Sequence, residues 1–110
     1  MDVATEVETN LVHYTLWTDV KVILRGGPFS LLRGQPPSKL ADQDPENQKE
    51  WVIPKPMHES KCSMAEIESW FEYVASIDVR PKRITLAIVN DDGTVVYYFV
   101  HDGVIKPRQN

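Results

Sequence analysis

Ile84-Thr85-Leu86-Ala87-Ile88-Val89, then Asn90-Asp91-Asp92-Gly93, then Thr94-Val95-Val96-Tyr97-Tyr98-Phe99-Val100 is the stretch whose reading decides the fold. Two runs rich in β-branched and aromatic residues flank four residues suited to a tight turn, which predicts a hairpin. Both runs are apolar at successive positions rather than alternate ones. A strand apolar on both faces needs cover on both, so the pair is expected at the centre of a sheet. Turn chemistry alone accounts for the connecting residues, because Asn, Asp and Gly tolerate positive φ. The turn nevertheless carries two carboxylates, so a buried hairpin here would project an acidic tip suited to docking a partner.

Upstream, Val3, Val7, Leu11 and Tyr14 recur at helical spacing with Glu6, Glu8 and Asn10 between them, predicting a helix over 3–15. From Trp17 to Leu24 the pattern becomes β-rich, with Val20, Val22 and Leu24 expected on one face. Arg25-Gly26-Gly27-Pro28 breaks that run, and Phe29-Ser30-Leu31-Leu32-Arg33 returns as a short strand ended by Gln35-Pro36-Pro37. Residues 41–50 are polar, contain Pro45 and show no apolar period, which predicts a flexible loop. Trp51-Val52-Ile53 reads as a short strand stopped by Pro54 and Pro56. Ser63 and Glu66 have the spacing of a capping box, followed by an apolar stripe of Met64, Ile67, Phe71 and Val74. Glu66, Glu68, Ser69 and Glu72 fall on the water side of that second helix, and Pro81 marks its end or the linker beyond. After the hairpin, Asp102-Gly103 predicts a further turn before a basic tail at Lys106 and Arg108. The order α, β-hairpin, β, α, β-hairpin predicts one α+β domain over 1–110, a mixed sheet packed with two helices.

At 110 residues there is room for one core. A hydrophobic fraction of 42% with three Trp, four Tyr and three Phe excludes wholesale disorder. No apolar run approaches membrane-spanning length and the first residues are acidic, so neither membrane insertion nor a signal peptide is expected. Cys62, the one cysteine, cannot form an internal disulfide, which favours a reducing compartment. The net charge of −4 argues against a protein that grips nucleic acid alone, since phosphate neutralisation supplies most of such affinity. If the chain works on RNA, another component supplies most of the positive charge.

Candidate chemistry is sparse. His58 and Cys62 are close enough to share an ion, but His13 and His101 lie far away and four zinc ligands are not in view. No cofactor or metal is expected. Gly26-Gly27 is followed by Pro28 and a strand, not by the helix that would hold phosphate. Metal-free ribonuclease chemistry needs Tyr, His and Lys together. Here one of Tyr97 and Tyr98 is forced inward by strand geometry, and Tyr14 falls in a helical stripe. Arg33 and the cluster Arg80, Lys82 and Arg83 are candidate phosphate contacts, with a solvated linker as the plain alternative for the cluster. Trp51, Trp70 and Phe71 could stack bases, although aromatics on a helix face are mostly core.

The segment 86–98 closely resembles the C-terminal core of the tRNA-splicing endonuclease family, and more narrowly its smallest accessory subunit in a fungal-like form. Leu16-Trp17-Thr18-Asp19-Val20, Leu31-Leu32-Arg33-Gly34-Gln35-Pro36-Pro37 and Gly103-Val104-Ile105-Lys106-Pro107 agree with it as well. Together these stretches cover about half the chain, spread along its length. The resemblance implies an endonuclease-like fold and a place in a four-subunit enzyme that excises introns from precursor tRNA. It also implies that this subunit is not catalytic. Its partner within a pair would be the catalytic subunit that cuts the 3′ splice site, held through Val96, Tyr98 and Val100 of the last strand. Asn90, Asp91, Asp92 and Gly93 would enter a basic pocket on the other catalytic subunit. Lys82 aligns near the catalytic lysine of active members, but no Tyr or His occupies the matching upstream block, and a lone lysine cannot be both acid and base.

The expectation is therefore a non-catalytic subunit that meets precursor tRNA through its complex, with Arg33, Lys82 and Arg83 as candidate RNA contacts. Relatives imply a nuclear location or the cytosolic face of the mitochondrial outer membrane. Two rivals stand beside it. One is a stand-alone ribonuclease using Lys82 with His58 or His101. The other is a general interaction domain that homodimerises through the same hairpin.

Overall fold

The computed structural model describes residues 2–25, 29–38, 48–59 and 61–102. The expected Gly26-Gly27-Pro28 turn, most of the 41–50 loop and the tail from Gly103 lie outside these. Helix α1 (Val3–His13) starts at Asp2, whose side chain accepts from the Thr5 N–H at 2.9 Å. Strands β1 (Thr18–Leu24), β2 (Leu31–Gln35), β3 (Glu50–Pro56), β4 (Arg83–Val89) and β5 (Val95–His101) form one mixed sheet in the order β1-β2-β3-β4-β5. All neighbours are antiparallel except β3 and β4. A parallel pair needs a crossover, and α2 (Met64–Ile77) supplies it. The α+β class and the two helices are thus as expected.

Strand alternation sends adjacent residues to opposite faces, and each face has its own helix. Ala4, Val7 and Leu11 of α1 pack with Trp17, Leu32, Val52, Ala87 and Val89. Trp70, Phe71 and Val74 of α2 pack with Leu31, Trp51, Ile53 and Ile84 on the other side. Trp51, Trp70 and Phe71 are therefore core residues and offer no stacking platform for bases. No helix among the described residues is long and apolar enough to cross a membrane.

Five expectations need correction. The final hairpin is not the sheet's centre: β4 is interior, but β5 is an edge strand paired with β4 alone among the described residues. Several of its apolar side chains stay partly open to water. In β1, the register shifts between Val22 and Leu24, so Val20 and Val22 join the α1 face while Leu24 joins the α2 face. Pro54 and Pro56 do not stop β3 but continue it, opposite Ala87 and Val89. Two residues apart, they turn the same way, so both missing N–H groups fall on the side where β2 pairing has ended at Val52. In α2, Trp70 takes the core position that the stripe assigned towards Met64, which stays about half exposed. Ser63 caps as expected, its hydroxyl accepting from the Glu66 N–H at 3.0 Å, but the Glu66 carboxylate pairs with Lys55 at 2.8 Å.

Candidate functional site

The outer hairpin is in continuous register, from Val89 opposite Val95 to Arg83 opposite His101. Its tip is built by its own polar groups. The Gly93 N–H donates to the Asn90 carbonyl at 3.0 Å, and the Asn90 N–H donates to the Thr94 carbonyl at 2.8 Å. Gly93 sits at φ +91 and a Cβ added there would meet open space, so glycine is required for conformation and not for room. A side-chain relay braces the turn: Asn90 Nδ2 donates to Thr94 Oγ1 at 2.8 Å, and Thr94 Oγ1 donates to Asp92 Oδ1 at 2.7 Å. The Thr94 N–H reaches the same Asp92 oxygen at 3.1 Å. The Thr94 hydroxyl, and then its N–H, hold the Asp92 carboxyl below the usual carboxylate range.

The two acids therefore differ. Asp92 is committed to the turn through one oxygen, whereas exposed Asp91 has no hydrogen bond or ion pair among the described residues. An arrangement of this kind can present negative charge at a fixed point, with Asn90, Asp92 and Gly93 shaping the tip and Asp91 free to meet a cation.

Strand β5 presents apolar groups on both faces. Val95 and Tyr97 pack against the α1-side cluster, and the Tyr97 hydroxyl donates to Asn10 Oδ1 at 2.5 Å. Burial pushes the Tyr97 phenol up to about 12. On the other face Val100 packs beside Ile84, while Val96 and Tyr98 remain 39% and 55% exposed. Phe99, 47% exposed, is a surface residue that sequence reasoning missed. Its ring lies under the Arg83 guanidinium at 4.9 Å and edge-on to His101 at 6.2 Å. An apolar run on both faces was the available signal, but edge and centre read alike in sequence.

The candidate RNA contacts are not brought together. Arg83 is largely buried against Glu50, with Nη2 at 2.7 Å from Oε2 and Nε at 3.3 Å from Oε1. Lys82 is exposed, and its carbonyl accepts from the Asp102 N–H at 2.8 Å. Arg80 is held between Glu68 and Asp102, at 2.9 and 2.8 Å, over the Phe71 ring. Arg33 lies on β2 with its guanidinium 5.5 Å from the centre of the Trp51 ring. Of the groups a ribonuclease would need, His101 is opposite Arg83 and next to Lys82, but His58 lies past the other end of β3 in the Met57–Glu59 turn. Tyr97 is bonded to Asn10, and Tyr73 packs edge-on against Phe29 at 5.7 Å. Cys62 is half-buried, and desolvation raises its thiol above the usual range.

A family model described as "Sen15 protein" matches residues 6–110. The chain is 41% identical over 105 residues to the tRNA-splicing endonuclease subunit SEN15 of Eremothecium gossypii, covering 94% of this chain and 87% of that relative. It is 35% identical over 88 residues to the probable tRNA-splicing endonuclease subunit tsp-1 of Neurospora crassa. That alignment covers 62% of this chain but 38% of the longer relative.

Proposed function

The chain belongs to the Sen15 protein family, and from this premise we propose that it is a non-catalytic structural subunit of the tRNA-splicing endonuclease. It works as one endonuclease-like domain in a heterotetramer that removes introns from precursor tRNA, in the nucleus or on the cytosolic face of the mitochondrial outer membrane. The observation that carries this reading is β5, which among the described residues is an edge strand with one side of its backbone unpaired and with Val96, Tyr98 and Phe99 exposed. Such an edge is an aggregation hazard unless another chain covers it. A partner strand added there would satisfy the free backbone groups and bury the side chains of both faces. The partner is the catalytic subunit that cuts the 3′ splice site, and Val96, Tyr98 and Val100 lie along the junction.

The acidic tip makes the second contact, to a basic pocket on the other catalytic subunit. Charge of this kind contributes partner choice and register more than raw affinity. Asp91 is the group that meets the cation, with Asp92 holding the loop in shape. Lys82 and His101 do share one end of the hairpin, but catalysis by this chain is disfavoured because the hydroxyl of Tyr97 is spent on Asn10 and, among the described residues, no tyrosine completes the set. The same open edge makes the isolated chain prone to pairing with a second copy of itself.

Asp91→Lys combined with Asp92→Lys is expected to dissociate the tetramer on gel filtration at physiological salt, while the isolated domain still unfolds cooperatively. A tetramer that survives intact removes the tip from the assembly. Purified chain incubated with intron-containing precursor tRNA is expected to leave it whole. Cleavage there would establish the ribonuclease reading instead.

A further inference from the structure

Lys21 on β1 stands directly across from Arg33 on β2. Like charges at such a position repel, which costs stability unless an anion lies between or above them. Arg33 shares the α2 face with Trp51 and stacks on that ring, yet it makes no hydrogen bond or ion pair among the described residues. Lys49, just before β3, reaches the same place by bonding to Asp19 Oδ2, and Lys21 Nζ lies 3.8 Å from Asp19 Oδ1. Asp19 itself is swung there by a left-handed backbone (φ +57) where the β1–β2 register shifts. Lys49 first, then Lys21 and Arg33, hold its carboxyl below the usual range. Among the described residues this corner thus gathers three cations around one carboxylate, in a chain whose net charge is −4.

We infer that Lys21, Arg33 and Lys49 form a contact for RNA phosphates at the edge of the sheet opposite the docking strand. The inference rests on the reading that this chain is an endonuclease subunit. One carboxylate orients the two lysines without neutralising the group, and Arg33, its guanidinium carbon 5.5 Å from the Trp51 ring centre, offers a fork that fits phosphate oxygens. Lys21 lies four strands from β5, Arg33 three and Lys49 two, roughly 19, 14 and 10 Å at ordinary strand spacing, so a strand added beyond β5 leaves the corner open. An acidic protein segment is the less suitable ligand. Protein interfaces have an apolar centre, and the apolar side chains of β1 turn inward, Val20 and Val22 to one cluster and Ile23 and Leu24 to the other.

The test uses the assembled complex with labelled intron-containing precursor tRNA, titrated over a salt series. Lys21→Gln with Arg33→Gln is expected to weaken binding on the order of 10-fold and to reduce the slope of log affinity against log salt by about 1–2, since each phosphate contact contributes about 0.7–0.9. Arg33→Lys, which keeps the charge and cannot disturb the sheet through lost charge balance, is expected to retain most of the slope. Unaltered affinity and slope in the double variant overturn the inference. Loss of assembly with a normally folded variant also overturns it, and assigns the corner to a protein partner. Failure of the wild-type chain to join endonuclease subunits is a separate result, seen before any variant is made, and would remove the underlying reading together with this one.

Discussion

Leu16 turns left-handed, φ +62, to end α1, and its neighbour Trp17 donates its N–H to the Leu11 carbonyl at 2.8 Å. That turn sends Trp17 into the core while the Leu16 side chain stays 64% exposed. A left-handed conformation costs an L-residue about 1–2 kcal/mol, and glycine avoids it at an unfolded-state cost of about 0.5–1 kcal/mol. Leu16→Gly is therefore expected to raise the thermal midpoint by about 2 °C, measured by scanning calorimetry. A lower midpoint would mean that Leu16 is held by packing. The tip shows a similar division of labour between neighbours. Asp91 and Asp92 are alike in composition and spacing, but only Asp92 has Thr94 hydrogen bonds around it. Sequence marked both acids and could not rank them, because ranking depends on where each carboxylate points after the turn closes.

At the scale of elements, the Glu50–Arg83 pair joins the first residues of β3 and β4, with Gln48 Nε2 donating to Glu50 Oε2 at 3.0 Å. Both side chains are nearly sealed from water, 2% and 9% exposed. Removing one partner of a buried pair leaves an uncompensated charge and costs about 3–5 kcal/mol, whereas replacing both by apolar groups is often neutral. Arg83→Met alone is expected to lower urea stability by that amount, and Arg83→Met with Glu50→Leu to recover most of it. A double variant no more stable than the single one would show that the pair is not the clamp. Elements were mostly legible in sequence, since α1, β1, β2, α2 and the final hairpin follow from periodicity and turn residues. What escaped was long-range. The pairing of Arg83 with Glu50, 33 positions apart, depends on β3 and β4 lying side by side. The passage of Pro54 and Pro56 through β3 depends on β2 having ended.

Across the whole molecule, β5 is held inward by its ladder to β4 and by the Tyr97–Asn10 bond to α1. The folded-state value of Tyr97 is raised from 10 to about 12, so this contact's stability is complete below pH 10 and is lost as pH rises through about 12. An alkaline titration followed by near-ultraviolet circular dichroism is expected to show a step in that window. Tyr97→Phe should abolish the step and cost about 0.5–1.5 kcal/mol at neutral pH. A step that persists in the phenylalanine variant would belong to another group. Among the described residues the molecule is also polarised across its sheet, with unpaired backbone and apolar groups at β5 and cations gathered around β1, β2 and the start of β3.

Local pattern was enough to specify the helices, the turn chemistry of Asn90-Asp91-Asp92-Gly93, the α+β class and the family likeness, because periodicity, capping and positive φ are set by residues within a few positions of one another. It was not enough to say which strand lies at the rim. Val95 to Val100 is as apolar as a buried strand, and its exposure follows from having, among the described residues, a neighbour on one side only, a property of the assembled sheet. The gathering of Lys21, Arg33 and Lys49 has the same origin. Charges from three separate segments meet because a bulge and two strand pairings bring them to one corner, and no spacing along the chain encodes that distance.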